Sequence, residues 1–447
     1  MKDAVAVAIE TLGCIQVQKL SERLALARAV KQLNVTDANA VRYGYGLVCE
    51  TVRCKNLIDA FINSVLKPKT LSEFPTVVQA FLRLYVYQAR ITRHWAKADV
   101  AEAASFAGVA RSILGWKTLR GIEPFLGLLL TRSPEQLFKD VSDEKCVALQ
   151  TFHPLWFVKY CFRLLGRREA IAFLQANVYS PPTYIRLNTL RASQEAIIEK
   201  LVVDGVNVEK IEQLRHTYRV KTARQPLTQI ESYQKGLFCI QDKASCYAAE
   251  VADPRVGMTV LDVCAAPGAK TTYIAQLMQN KGKVYSVDFS SRRINVWRKE
   301  ISRMGVKVAE AIIADARCAL PFACEVDVAV LDPPCTGSGV FGRFPSAKWR
   351  LSPSSVKRMS EIQWQIINSC AEKVKAGGSL VYSTCSVTVE ENEMVIERFL
   401  RWHPEFSLVE INPKIGLPGL RGLTLCQRLY PHLHECNGFF IAKLQRE

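Results

Sequence analysis

Two cysteines, one aspartate and one lysine stand where runs of apolar residues end. Asp332 and Cys335 belong to the sequence Asp-Pro-Pro-Cys, Cys385 belongs to Ser-Thr-Cys-Ser, and Lys270 follows a third apolar run. A thiolate is a strong nucleophile, and a nearby cation lowers the pKa of the thiol from which it forms. These residues therefore predict covalent catalysis by a cysteine, with a carboxylate and an ammonium group beside it, but they do not decide which cysteine attacks.

The run before Lys270 predicts a strand that turns sharply into a helix. Residues 258–274 read Met-Thr-Val-Leu-Asp-Val-Cys-Ala-Ala-Pro-Gly-Ala-Lys-Thr-Thr-Tyr-Ile. The β-branched and aliphatic pattern stops at Ala265, and proline and glycine precede the helical pattern. Such a unit opens a doubly wound α/β sheet, in which ligands bind outside the carboxyl ends of the strands. Because the turn consists of small residues at a helix N-terminus, it predicts a loop that binds a cofactor.

Later strands in the second half of the chain also end in polar or nucleophilic side chains. Asp288 ends the run 283–288, and Asp315 ends the run 311–315. In doubly wound sheets an acidic residue about 20 positions after the loop holds the ribose hydroxyls, which favours Asp288 for that role. Helical patterns separate the runs, and this βαβ alternation predicts a parallel sheet with helices on both faces.

The composition indicates an ordinary globular protein with an excess of positive charge. The chain has 447 residues, 49% of them hydrophobic and 23% charged, and its formal net charge is +17. The basic residues are distributed over the whole chain, which suits a long polyanion such as folded RNA. The 15 cysteines include no Cys-x-x-Cys pair, so we expect no metal. With neither a signal peptide nor an apolar run of about 18 residues, the chain is expected to be cytoplasmic and to cross no membrane.

The chain divides by pattern into three predicted domains. Residues 1–140 read as helices throughout, including one that follows a cap at Asp37. Residues 141–235 predict a small α+β unit, and 236–447 predict the α/β domain. As a group, the arginines around the middle unit are expected to contact RNA phosphates. These are Arg163, Arg167, Arg168, Arg186, Arg191, Arg215, Arg219 and Arg224.

Three motifs resemble those of a known enzyme family. Asp-Val-Cys-Ala-Ala-Pro-Gly-Ala-Lys-Thr at 262–271, Asp-Pro-Pro-Cys at 332–335 and Ser-Thr-Cys-Ser at 383–386 resemble, in this order, the S-adenosylmethionine-dependent RNA cytosine-5 methyltransferases of the Sun/Fmu type. Residues 240–245 resemble the entry motif of that family, and Arg186-x-Asn188 resembles its N-terminal Arg-x-Asn motif. The helical pattern of 1–140 resembles the NusB-type RNA-binding domain that precedes the catalytic domain in one branch of the family.

The resemblance implies both a fold and a cofactor. The fold is a Rossmann-like class I methyltransferase domain, preceded by an all-α NusB-like domain and a small α+β RNA-binding subdomain. The cofactor is S-adenosyl-L-methionine. The resemblance and the spacing together indicate that it is bound by Cys264, Ala265, Ala266, Pro267, Gly268, Ala269, Lys270, Asp288, Arg293, Asp315 and Asp332.

The resemblance also implies roles for the residues at the strand ends. Cys385 is the nucleophile, Cys335 assists release of the product, and Asp332 forms a hydrogen bond with N3 of the base. Lys270 is expected to lower a thiol pKa or to hold the target nucleotide. DNA cytosine methyltransferases attack with the thiol of a Pro-Cys sequence. Without the resemblance to the RNA enzymes, the residues alone would therefore equally allow Cys335 as the nucleophile.

A basic and aromatic segment follows the Asp-Pro-Pro-Cys motif. Residues 342–350 read Gly-Arg-Phe-Pro-Ser-Ala-Lys-Trp-Arg and resemble a family segment that lies near the RNA. Arg343, Lys348 and Arg350 suit phosphate contacts, and Trp349 suits base stacking.

These observations support one leading hypothesis and several alternatives. The leading hypothesis is a monomeric enzyme that forms 5-methylcytosine in ribosomal RNA, with transfer RNA as the alternative substrate. A catalytically idle RNA-binding factor for ribosome assembly would share the fold, but the intact Asp332, Cys335 and Cys385 argue against it. A nicotinamide-dependent oxidoreductase would explain the strand-turn-helix unit and Asp288, but it leaves both cysteine motifs unexplained.

Overall fold

A computed structural model describes residues 1–92, 99–139 and 141–447 of the chain. Residue 140, where the sequence pattern ends the first predicted domain, lies outside the described residues. The internal contacts divide the chain into two compact units. The first consists of 1–180 and 341–350, and the second consists of 181–340 and 351–447.

The first unit is built from helices around an apolar core. Phe61 and Phe81 are fully buried in this core. The Asp37 carboxylate accepts a hydrogen bond of 2.8 Å from the Asn39 N–H, which confirms the predicted cap. The helices are α1 (Lys2–Gln18), α2 (Glu22–Leu33), α3 (Ala38–Arg53), α4 (Lys55–Leu66), α5 (Thr76–Val86), α6 (Val100–Leu114), α7 (Trp116–Leu119), α8 (Glu123–Thr131), α9 (Asp143–Gln150), α10 (Leu155–Leu165) and α11 (Arg167–Ala176).

The second unit begins with a small antiparallel sheet. Its strands are β1 (Tyr184–Leu187), β2 (Val206–Lys210), β3 (Thr217–Ala223) and β4 (Phe238–Ile240), in the order β2-β3-β1-β4. Helix α12 (Gln194–Val203) covers the sheet, and its Ile197 and Leu201 pack into the same apolar cluster as Ile185 and Phe238. This is the α+β arrangement that the sequence predicts for the middle of the chain.

The larger sheet of the second unit carries the predicted motifs. Its strands are β5 (Thr259–Val263), β6 (Lys283–Asp288), β7 (Ala309–Ile313), β8 (Val326–Leu331), β9 (Val374–Thr384), β10 (Phe406–Leu408), β11 (Leu417–Pro418), β12 (Gln427–Leu429) and β13 (Phe439–Arg446). The order is β11-β12-β13-β9-β8-β5-β6-β7, with β10 paired to β13. The neighbours from β9 through β8, β5 and β6 to β7 are parallel, whereas β13 is antiparallel to β9.

Helices cover both faces of this sheet. Leu261 and Val263 pack into one apolar cluster and Val260 into another, as alternating side chains of a strand must. The remaining helices of the second unit are α13 (Glu231–Gln234), α14 (Lys243–Val251), α15 (Ala269–Leu277), α16 (Ser291–Met304), α18 (Pro353–Ala371), α19 (Glu393–Trp402) and α20 (Pro431–His434). Helix α17 (Ala347–Arg350) belongs to the first unit. The predicted α/β fold with a helical region before it is confirmed. Because β5, β6, β8 and β9 are parallel, their carboxyl ends meet at one edge.

The Arg-x-Asn motif supports the fold of the second unit. The Arg186 side chain is fully buried, and it donates to Gln241 Oε1 at 2.9 Å and to Thr272 Oγ1 at 2.7 Å. Its guanidinium also lies 4.5 Å from the centre of the Tyr273 ring. The Asn188 amide donates to two backbone carbonyl groups, both at 2.8 Å. Among the arginines that were expected as a group to contact phosphates, Arg186 is not available for one, because its donors are used inside the protein.

Residues 341–350 fold with the helices of the first unit. The Lys348 side chain is fully buried, and burial lowers its pKa to about 7. The Trp349 ring N–H donates to the Val52 carbonyl at 2.6 Å, and the Ser346 N–H donates to the Glu22 carboxylate at 2.5 Å. The prediction that Lys348 contacts RNA is wrong, and Trp349 is half-buried with its N–H group engaged. Sequence resemblance could not reveal that this basic segment packs among helices about 300 positions earlier.

The described residues contain neither a membrane-spanning helix nor a candidate metal site. None of the helices found there is both long and apolar enough to cross a membrane. Within the same ranges, no three His, Cys, Asp or Glu side chains form a group that could hold a metal ion.

Candidate active site

The loop after β5 has a backbone shape that its small residues permit. Cys264 and Gly268 adopt positive φ angles of 62° and 112°. A Cβ atom added to Gly268 would lie 3.2 Å from Cδ1 of Trp297, so both the backbone angle and the neighbouring ring favour glycine there. The Ala265 N–H donates to the Val287 carbonyl at 3.0 Å, which holds the loop against the end of β6.

A cavity of about 310 Å³ opens beside this loop. Its polar lining includes Asp288, Arg293 and Asp315, and its apolar lining includes Phe289 and Ile362. The volume is within the range of small-molecule sites, which typically combine apolar walls with a few polar groups. The structure thus brings the loop and the predicted acidic strand ends together around one cavity.

Asp288 and Arg293 brace the loop from the edge of the cavity. The Asp288 carboxylate accepts hydrogen bonds from the Ala266 N–H at 3.3 Å and from the Ser290 N–H at 3.2 Å. Arg293 lies 3.3 Å from the same carboxylate and also donates to the Ala266 carbonyl. Both residues therefore fix the position of the loop backbone as well as lining the cavity.

Asp315 is the more accessible carboxylate of the cavity. Its side chain is 41% exposed, and it pairs with Arg317 at 2.6 Å. Hydrogen bonds from Arg317 hold the pKa of Asp315 below its usual range, so the group is anionic near neutral pH. It lies two residues beyond the end of β7, in a loop rather than in the strand.

Lys270 and Asp332 form an ion pair across the ends of β5 and β8. Lys270 Nζ lies 2.5 Å from Asp332 Oδ2, and the two side chains are 6% and 37% exposed. Burial alone would lower the pKa of Lys270, but attraction to Asp332, Asp262 and Cys385 outweighs burial and raises it. The ammonium group is therefore charged, and its positive field reaches both the carboxylate and a thiol.

The two predicted cysteines lie in contact. Cys335 Sγ is 3.2 Å from Cys385 Sγ. Contact with the Cys385 thiol and burial raise the pKa of Cys335 well above its ordinary value, and the negative charges of Glu391 and Asp332 act in the same direction. Cys335 consequently remains protonated near neutral pH, while Cys385 is the thiol that shares its surroundings with the Lys270 ammonium.

Sequence reasoning missed polar residues that lie behind these groups. Burial raises the pKa of Asp262, at the end of β5, to about 7. Glu391 and Asn392 are fully buried and form hydrogen bonds with residues that flank the cysteines. The helical pattern of the sequence in this region runs over 391–402, whereas α19 begins at Glu393. The signal available was the run Glu-Asn-Glu shortly after Ser-Thr-Cys-Ser.

Known proteins resemble this chain over almost its whole length. A model of the 16S rRNA methyltransferase RsmB/F family matches residues 249–445, and a model of the RsmF/B-like ferredoxin-like domain matches residues 153–225. The chain is 30% identical to the "Probable ribosomal RNA small subunit methyltransferase B" of Bacillus subtilis, over 99% of this chain and 98% of that protein.

Two further proteins extend the comparison. The "25S rRNA (cytosine-C(5))-methyltransferase nop2" of Schizosaccharomyces pombe is 33% identical over 64% of this chain and 49% of its own length. The crystal structure of PH0851 is similar over 100% of this chain and 99% of that chain, with a TM-score of 0.83 and 30% identity. The similarity thus extends over both units. The chain belongs to the RsmB/F family of RNA methyltransferases.

Proposed function

We propose that this protein transfers a methyl group from S-adenosylmethionine to C5 of a cytosine in ribosomal RNA, through a covalent bond between Cys385 and C6. The observation that carries the proposal is the contact of two thiols, 3.2 Å apart, beside the pair of Lys270 and Asp332. This group adjoins the cavity, because Pro334, the residue before Cys335, lines it.

The cavity residues fit the proposed cofactor. Its apolar side chains can face a purine, and the accessible Asp315 carboxylate can accept hydrogen bonds from it. Behind the loop, Oδ1 of Asp262 is buried without a hydrogen-bond partner among the described residues, which leaves an acceptor near the loop for a donor group of the ligand. When bound there, S-adenosylmethionine supplies an electrophilic methyl group.

Cytosine C5 needs activation before it can accept that methyl group. The Cys385 thiolate adds to C6, which forms an S–C6 bond and moves electron density to C5. Once C5 carries the methyl group, a base removes the C5 proton and the S–C6 bond breaks, which restores the ring and returns the electron pair of that bond to the sulfur of Cys385. The target cytosine has to leave any RNA helix to reach the thiol, so a flipped or loop nucleotide is the substrate.

The electrostatics of the thiols support Cys385 as the attacking residue. The Lys270 pKa is raised in part by Cys385, which means that the ammonium and a Cys385 thiolate stabilise each other. Contact with Cys385 and burial raise the pKa of Cys335 well above its ordinary value, and Glu391 and Asp332 act in the same direction, so the two thiols together carry at most one negative charge and Cys335 keeps its proton. A protonated Cys335 in contact with Cys385 is placed to donate a proton to the departing sulfur during product release.

Ribosomal RNA is the proposed substrate because of the relatives and the charge. The name of the fission yeast relative specifies cytosine C5 of 25S rRNA. The name of the Bacillus relative specifies RNA of the small ribosomal subunit. The formal net charge of +17 gives a general attraction to the phosphate backbone. Transfer RNA, which has the same backbone, is the alternative that the experiments below separate.

Cofactor binding is expected to protect the protein from thermal unfolding. S-adenosylhomocysteine at about 100 times its Kd should add about 2.7 kcal/mol of stability, whereas nicotinamide dinucleotide should add none. Asp315→Ala should reduce the protection because it removes a carboxylate from the cavity. Asp253→Ala is the matched control, since Asp253 also pairs with the arginine two positions later and its side chain is also 41% exposed. Protection by the dinucleotide alone would favour an oxidoreductase.

A trapped protein–RNA adduct tests substrate and mechanism together. Cys335→Ala is expected to attack but to release product slowly, so an adduct that survives denaturation should accumulate with cofactor and RNA. Unmodified small-subunit ribosomal RNA and transfer RNA are supplied separately, and we expect the adduct with the ribosomal pool. Adding Cys385→Ala should remove it.

The other outcomes of this experiment contradict stated parts of the proposal. An adduct with transfer RNA alone would show that transfer RNA is the substrate in place of ribosomal RNA, and it would leave the proposed reaction unchanged. An adduct that persists in the double variant would exclude Cys385 as the nucleophile. If the wild type methylates neither pool, the protein is better described as an RNA-binding assembly factor.

A further inference from the structure

The loops that carry the two thiols share one buried carboxylate. Glu391 is fully buried, and Thr336, the residue after Cys335, donates to it twice. The Thr336 N–H lies 2.8 Å from Oε1, and the Thr336 hydroxyl lies 2.5 Å from Oε2. Ser386, the residue after Cys385, donates its hydroxyl to Oε2 at 2.7 Å. A single side chain is thus bound to the immediate neighbours of both cysteines.

The carboxylate is held by hydrogen bonds alone. Thr388 donates to Oε2 at 2.7 Å, and Gln363 donates to Oε1 at 3.0 Å. Among the residues that the structure describes, no lysine or arginine forms an ion pair with Glu391. A buried charge is costly unless hydrogen bonds satisfy it, so these donors and the carboxylate depend on one another.

Asn392 fixes the second loop from the other side of Cys385. Its amide oxygen accepts a hydrogen bond of 2.6 Å from the Thr384 hydroxyl, and its amide nitrogen donates to the Ser386 carbonyl at 2.9 Å. Both neighbours of Cys385 are therefore tied to the residue next to Glu391. Farther along, the two loops are also joined directly, because the Gly339 N–H donates to the Cys385 carbonyl and the Val387 N–H donates to the Ser338 hydroxyl, both at 2.9 Å. Beside Cys335 itself, the bonds of Thr336 to Glu391 make the connection.

We propose that Glu391 is a positioning residue that sets the separation of the two thiols, so that Cys335 can release the methylated product from Cys385. This inference rests on the proposed function of the cysteines. The sulfur contact of 3.2 Å allows proton transfer from Cys335 to the departing sulfur without movement of either loop. Loss of the shared carboxylate would loosen the part of the loop next to Cys335, while the bonds at Ser338 and Gly339 keep the rest in place, so attack by Cys385 would continue while release slowed.

Glutamine is a poor substitute for Glu391 in this role. Five hydrogen bonds are donated to the carboxylate, and three of them reach Oε2 from the hydroxyl groups of Thr336, Ser386 and Thr388. An amide nitrogen at the Oε2 position has only two N–H groups, and the hydroxyls would have to turn and accept from them, so Glu391→Gln keeps the shape but rearranges this network. Thr336→Val removes the hydroxyl bond to Oε2 and the 3.4 Å contact of the same hydroxyl with Ser386, and it is the second test if the first variant fails to fold.

The first measurement reports the approach of the sulfur atoms without RNA or cofactor. Diamide oxidises the two thiols to a disulfide and takes up the two electrons and two protons that they lose. Mass spectrometry of unreduced peptides follows the Cys335–Cys385 link. Glu391→Gln should slow its formation about 10- to 100-fold, the usual cost of a displacement near 1 Å, and Thr336→Val should slow it less.

Glu393→Gln is the matched control for damage to the fold. Glu393 is a fully buried glutamate two positions away that pairs with Arg428 at 2.5 Å and has no hydrogen bond to the residues beside the cysteines. Its variant should lose more thermal stability, because it leaves a buried guanidinium unpaired, yet form the disulfide at the wild-type rate. Wild-type rates in both Glu391→Gln and Thr336→Val would overturn the proposal.

The second measurement follows the covalent RNA adduct. Glu391→Gln should accumulate the adduct as Cys335→Ala does, whereas damage to the fold alone would reduce adduct formation. If Cys335→Ala traps RNA and Glu391→Gln does not, the role of Glu391 in release is wrong. If neither variant traps RNA, the proposed covalent mechanism fails, and the disulfide rate still decides whether Glu391 positions the thiols.

Discussion

Replacing Cys385 with alanine is expected to reduce methyl transfer about 10⁴-fold or more, the scale on which other enzymes lose activity with their nucleophile. Without the thiolate, C6 of cytosine is not attacked and C5 stays unreactive toward the methyl group. The Cys385 side chain is only half-buried, so the free energy of unfolding should change by about 1 kcal/mol or less. Incorporation of labelled methyl groups into RNA gives the rate, and denaturant unfolding gives the stability.

A second cysteine provides the control for this result. Cys324 is exposed and lies in the loop before β8, away from the motifs. Cys324→Ala should keep the wild-type rate. Full activity in Cys385→Ala would remove Cys385 from the mechanism, and the contact between the sulfur atoms would make Cys335 the next residue to test.

Asp332→Asn is expected to lower the methylation rate about 10²- to 10⁴-fold, the contribution of a positioned acid or base. The aspartate holds the Lys270 ammonium at 2.5 Å and is itself 37% exposed, so one side of the carboxylate can face the base. An asparagine neither retains the ion pair nor accepts a hydrogen bond as strongly from N3 once that nitrogen has taken up a proton during addition at C6. The Lys270 pKa should fall as well, because attraction to Asp332 helps to raise it.

The opposite end of the same strand offers a matched control for Asp332→Asn. Asp327 pairs with Lys375 and accepts a hydrogen bond of 2.7 Å from the Thr259 N–H. Asp327→Asn therefore breaks a similar ion pair on β8 without touching the candidate site. We expect near-normal turnover from it, and equal losses in the two variants would show that Asp332 acts only through stability.

The sequence predicted the elements whose patterns are local. The strand 283–288 matches β6, and the helix expected near Lys270 begins at Ala269. The two cysteines could be assigned to strand ends because each follows a long apolar run. That the two cysteines lie close together could also be predicted, since the carboxyl ends of parallel strands meet at one edge. The distance of 3.2 Å between their sulfur atoms could not be predicted, because it depends on side-chain packing.

Features that depend on residues far along the chain could not be predicted from the sequence. Arg186 belongs to a group of arginines that suits phosphate contacts, but its donors are used by residues 55 to 90 positions later. Glu391 opens a helical pattern in the sequence, but it is fully buried and joined to a loop 55 positions earlier. A single sequence shows the charge of such residues but not the groups that satisfy it. Buried polar side chains are for this reason the least predictable part of the site.

The assignment of residues 341–350 to the helical unit limits how this protein can be divided. A shortened protein that starts at 181 would keep these ten residues but lose the helices that bury them. Phe341 and Lys348, both fully buried, would then face water six and thirteen positions after Cys335. The two units are consequently poor candidates for exchange between homologues, since a chimera would have to match the inserted segment to its helices as well as join the chains.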